Sequence, residues 1–129
     1  MIYIVKNLFP IFTAMLAGLA IGWAWLAGSS LASPSPATIV IIALCEFWIA
    51  AILAGALILA PDKAGGWTMA LGSAFIIWIG FVAPAMIVTL RVAGEGWPAV
   101  ASICAHWLAV MLVQAALMKA IGLTPPPES

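Results

Sequence analysis

The chain has 129 residues, 67% of them hydrophobic and 6% charged, with four basic and four acidic side chains and a mean hydropathy of +1.27. So few charges cannot coat a water-soluble domain of this length, and composition points to an all-α integral membrane protein. Zero net charge excludes a basic nucleic-acid surface and a polybasic lipid-binding face. Cys45 and Cys104 lie inside apolar runs and form neither a CxxC pair nor a disulfide framework.

A membrane-spanning helix needs about 20 mostly apolar residues. The first such run is Leu8 to Ala27, preceded by Tyr3 and Lys6. It carries Ala14, Gly18 and Gly22 at four-residue spacing, a small-residue stripe that lets another helix approach closely. That helix belongs either to the same bundle or to a second protomer. A rival reading takes Lys6, the apolar run and Ser30-Leu31-Ala32 as a secretory signal. The run is longer than the usual signal core of roughly 7–15 residues, which favours a span. Gly28 to Pro36, GSSLASPSP, breaks the pattern with polar and proline residues.

The second run is Ala37 to Ala60 and contains Glu46. A carboxyl group near the bilayer centre is costly, so it is expected to face inward and to find a partner or a proton. Pro61 to Gly66 reads as a tight charged turn holding Asp62 and Lys63. The third run, Trp67 to Leu90, has a second small stripe of Gly66, Ala70 and Ala74. Pro84 cannot donate to the carbonyl of Gly80, which predicts a kink between the two. Ala93 to Gly96 closes this run, with Arg91 and Glu95 as an expected surface ion pair.

The fourth run, Pro98 to Ile121, carries His106, Gln114 and Lys119. Thr124 to Ser129, with three consecutive prolines, reads as a disordered tail after a single domain over residues 1–123. Short connections imply an up-down-up-down bundle of four transmembrane helices. Nothing alternates with period two, so a β-barrel is excluded. Lys6, Lys63 and Lys119 fall on one side of such a bundle and Arg91 on the other, which predicts both termini in the cytoplasm. Tyr3 and Trp67 then mark the inner interface, and Trp23, Trp25 and Trp97 the outer one.

Depth can be counted along each helix at 1.5 Å per residue. Glu46 lies nine residues past Ala37, and His106 eight past Pro98 on a helix of the same direction. Both are expected roughly 12–14 Å in, near the midplane. Gly18, Gly80, Trp48, Trp78 and Trp107 fall close to this level, and Thr13, Ser73 and Gln114 form a separate polar layer toward the cytoplasm. His106 has three candidate roles: pairing with Glu46, bonding to Ser102 one turn back, or ligating a tetrapyrrole metal beside Ala105 and Ala109. Cys45, Cys104, Glu46 and His106 have the side chains of a zinc site but no ligand spacing, so neither metal nor cofactor is expected. No nucleophile–base set, phosphate loop or carboxylate pair can be assembled, which speaks against an enzyme.

Cys45-x-x-Trp48-x-Ala50 and Cys104-x-x-Trp107-x-Ala109 match each other, a faint sign of a duplicated hairpin. The segment Trp78-Ile79-Gly80-Phe81-Val82-Ala83-Pro84, a short loop bearing Trp97, and His106-Trp107-Leu108-Ala109-Val110 resemble another pattern. They are similar to a bacterial family of small four-span proteins, the domain of unknown function 1761 family. The resemblance covers the C-terminal half. It implies a four-helix fold in a bacterial inner membrane and brings no activity.

Three functions remain in view. The first is a non-enzymatic membrane protein that acts by association, as a homo-oligomer or as an accessory subunit of a membrane complex. The second is a small proton or solute carrier with Glu46, His106 and the Gly80–Pro84 kink as its site. The third is a tetrapyrrole- or quinone-binding subunit using His106 and the central tryptophans.

Overall fold

A computed structural model describes residues 1–61 and 64–127. Among them there is no strand; the elements are α1 (Ile2–Lys6), α2 (Leu8–Ala27), α3 (Pro36–Leu59), α4 (Gly66–Ile77), a π-helical turn (Trp78–Val82), α5 (Ala83–Val92) and α6 (Trp97–Ile121). The fourth element, the π-helical turn and α5 run on as one helix, Gly66–Val92. That leaves four helices of 20, 24, 27 and 25 residues, each apolar enough to cross a membrane. At 1.5 Å per residue each is at least about 30 Å long, the thickness of a bilayer's hydrocarbon core.

Local chemistry explains the helix ends. The second long helix starts at Pro36, one residue earlier than hydropathy predicts, because proline suits a first helical turn and Ser35 caps it. The Ser35 hydroxyl accepts from the Thr38 N–H at 3.2 Å. The third long helix continues to Val92 and closes with two reversed bonds, Glu95 N–H to Leu90 O and Gly94 N–H to Arg91 O. Gly94 has φ of 89°, the left-handed conformation this closure needs.

The break expected at Gly80 and Pro84 takes the form of a π-helical turn. The strand of helical bonds shifts register just before Pro84, and the Ala83 N–H bonds five residues back to Trp78 O. The disruption is thus a π-helical turn centred on Gly80, followed by Pro84, which has no N–H to continue the ladder.

The core is built mainly from alanine and methionine. Ile11 and Ala14 of α2, Ala50, Ala51, Leu53 and Ala54 of α3, Ala74 of α4, and Met111, Ala115 and Met118 of α6 form one buried cluster. Both small-residue stripes serve this packing. Ala14 and Gly18 are buried, as are Ala70 and Ala74, so α2 and α4 spend these faces inside the chain, chiefly against α6. Large apolar side chains point the other way: Phe9, Phe12, Leu16, Ile41, Leu44, Ile76, Phe81 and Val88 are all exposed. This is the reverse of a water-soluble protein and suits a hydrocarbon surround.

The ends hold two features that hydropathy does not reveal. Asn7 breaks the N-terminal apolar stretch into α1 and α2 and is buried. Its side chain donates to Tyr3 O and to Thr124 O, each at 2.8 Å, and accepts from Thr124 N–H at 2.7 Å. Thr124, placed by sequence at the start of a disordered tail, is therefore held against the first turn of the chain. Glu128 and Ser129 of that tail, like Asp62 and Lys63 of the charged turn, lie outside the described residues. Tyr3 is not a free interface marker either, since its hydroxyl donates to Ala51 O of α3 at 3.0 Å.

Candidate functional site

The polar centre forms on the glycine face of α2. Glu46 comes from α3 and Gln114 from α6, and they meet above Gly18. Gln114 Nε2 donates to Glu46 Oε2 at 2.8 Å. Glu46 is 2% exposed and Gln114 0%, so the bond is sealed by three helices. Gly18 gives the pair its room: a Cβ there would strike the Glu46 carboxyl and come within 2.8 Å of Gln114 Nε2, so the two side-chain ends would have to shift. Gln114 Oε1 is also buried and has no hydrogen-bond partner among the described residues.

One turn further along α2, Gly22 makes room for His106, whose Cε1 would lie 3.7 Å from an added Cβ. The imidazole stacks on Trp25, with centroids 4.9 Å apart and planes at 27°, and meets Trp107 edge-on at 5.2 Å. Its Nδ1 is buried without a partner among the described residues. The Ser102 hydroxyl, one of the candidate partners for His106, instead accepts from Trp25 Nε1 at 3.1 Å.

The expected Glu46–His106 pair is thus replaced by two separate clusters. Gln114 lies eight residues beyond His106 on α6, roughly 12 Å along the axis, and it is Gln114 that Glu46 reaches. Counting residues from the helix ends pairs Glu46 with His106, whereas the contact that forms is with Gln114, about two turns further along α6. Gln114 belongs to the carboxyl's level, not to a separate layer. Thr13 and Ser73 stay out of this contact, bonding their hydroxyls to carbonyls of their own helices, Phe9 O and Met69 O.

The other sequence candidates stand apart. Gly80 and Pro84 are exposed, and a Cβ on Gly80 would touch nothing, so this segment does not border Glu46. Trp48 is 52% exposed and lines no site. Trp78 joins the π-helical turn to α6 by donating its Nε1 to Cys104 O at 2.9 Å. Cys45 is exposed and Cys104 buried, and Ala50 is buried where Ala109 is exposed, so the matched motifs of α3 and α6 sit in unlike surroundings. No three of His, Cys, Asp and Glu converge among the described residues. At the far end Arg91 stacks over the Trp97 ring at 4.6 Å and donates to Glu95 O, a backbone contact where a carboxylate pair was expected.

Chemically, the Glu46–Gln114 bond ties α3 to α6 at one register over α2. The Trp25–His106–Trp107 cluster packs α2 on α6 through ring faces. Gln114 is the member that sequence reasoning missed, and the available signal was a lone amide inside an apolar helix. Compared with protein families, with curated proteins and with solved structures, the chain matches none.

Proposed function

We propose that the chain is a four-span integral membrane protein, its helices running up-down-up-down, that works without catalysis by associating with other membrane-embedded chains. It does so as a homo-oligomer or as an accessory subunit of a larger complex. Both termini face the cytoplasm of a bacterial inner membrane. One observation carries the membrane part: large apolar side chains cover the outside while the central carboxyl and amide are bonded to each other inside. The Asn7–Thr124 bonds bring Lys6 and the segment after Lys119 to one end, which supports the orientation drawn from basic residues.

Because the Gly18 and Ala74 stripes are used internally, association needs another surface. Ala101, Ala105 and Ala109 supply one: they are exposed and follow each other at four-residue spacing along α6. Substituting Ala105→Phe tests this. Purified in mild detergent, the parent chain should run larger than a monomer or carry a partner, and the variant should lose that mass. A parent chain that is monomeric and alone in mild detergent and in chemical cross-linking of intact membranes would sink the proposal.

The carrier reading keeps one support, the two buried unpartnered atoms Gln114 Oε1 and His106 Nδ1. Glu46→Gln in proteoliposomes is its test, and proton or solute flux equal to the parent's would remove it.

A further inference from the structure

An open cleft of about 370 Å³ lies between the end of α3, the start of α4 and the end of α6. Leu57, Met69, Ala70 and Met118 give it apolar walls, and Lys119 is the one charged side chain lining it among the described residues. The volume falls at the lower end of the range for small-molecule sites.

Lys119 sits in the last turn of α6, where a cation complements the helix dipole. Its side chain nevertheless reaches across to α4, so far that a Cβ on Gly66 would collide with Cε and Nζ. The ammonium therefore rests against the N-terminal end of α4, where no side chain caps the free N–H groups. That end of a helix is positive and repels a cation. Two positive features converging on an apolar hollow fit an anion that carries a hydrocarbon chain.

We propose that the cleft binds one anionic phospholipid, with its headgroup phosphate on Lys119 and an acyl chain laid along Leu57, Met69 and Met118. The proposal rests on the membrane reading, which puts the cleft at a span end, where headgroups meet chains. Basic pockets between membrane helices recognise acidic lipids by this combination of charge and apolar wall.

Thermal unfolding of the full chain in non-ionic detergent tests it, with short-chain phosphatidylglycerol, phosphatidylcholine of equal chain length, or inorganic phosphate as additive. Phosphatidylglycerol should raise the midpoint more than phosphatidylcholine, and phosphate alone should not. Lys119→Gln should weaken the phosphatidylglycerol effect about 5-fold in half-saturating concentration, and Lys119→Arg should retain it. Equal stabilisation by both lipids overturns the proposal, as does full stabilisation by phosphate. An unchanged response in Lys119→Gln also overturns it. If the chain stays dispersed once detergent is removed, the membrane reading itself fails; lipid indifference in a detergent-dependent chain removes the cleft proposal alone.

Discussion

Gln114 and Glu46 meet end to end across 2.8 Å directly above Gly18, so an amide, a carboxyl and a missing side chain form one unit. Its members come from α6, α3 and α2. Removing any one of them has a different physical consequence, and the three cases can be told apart.

Gly18→Ala places a methyl where the carboxyl and amide already lie. The pair must shift or part, and overpacking of this kind costs about 1–3 kcal/mol. Thermal or denaturant unfolding in mild detergent should show the loss. Gly22→Ala, which meets His106 at ordinary contact distance, should be close to neutral. Equal effects at the two glycines would contradict the tight fit at Gly18.

Gln114→Leu leaves the Glu46 carboxyl buried without its donor, at a cost of about 1–3 kcal/mol. Glu46→Gln keeps an acceptor for Gln114 Nε2 and should cost less. The double variant Glu46→Leu with Gln114→Leu removes both polar ends and should recover part of the loss. A double-mutant cycle with no coupling would mean that the bond contributes nothing to the bundle.

Asn7→Ala removes the two bonds that tie Thr124 to the first turn, together with the one to Tyr3 O. Amide exchange at Thr124 should accelerate, while amides in the middle of α3 and α4 keep their protection. Loss of stability should be about 0.5–1.5 kcal/mol, the net worth of an ordinary hydrogen bond, since Thr124 is exposed and water can take over its backbone groups. Unchanged exchange at Thr124 would show that the segment is held by something else.

Trp78→Phe keeps most of the ring but deletes the donor to Cys104 O. The expected cost is about 0.5–1.5 kcal/mol. Exchange should rise at amides of the π-helical turn first, because this bond is its tie to α6. Uniform destabilisation without a local change there would argue against that role.

Much of the fold was legible as hydropathy and turn chemistry. The apolar runs are long, and Ser35-Pro36, Gly94 and Gly96 punctuate them with residues whose backbone preferences leave little choice. The buried places of Ala14, Gly18, Ala70 and Ala74 were half legible: spacing shows a stripe, but not whether the chain itself fills it. Glu46 was legible as an inward carboxyl, because exposure to hydrocarbon costs too much. Its partner was not, because the relative height of two helices depends on how their loops and side chains pack. Small residues let α3 and α6 slide along each other in thought by a turn or two with little change in pattern. Asn7 was opaque for another reason: its partner is 117 residues away.

That separation has a consequence for biogenesis. The bonds between Asn7 and Thr124 need the residues that follow α6, so a growing chain has made all its helices before this clasp can close. During synthesis the Asn7 side chain has only its local acceptor, Tyr3 O, until the last helix has been delivered. Assembly therefore has a late step that is ordered in time, and a chain stalled before Thr124 would leave Asn7 without its long-range partner.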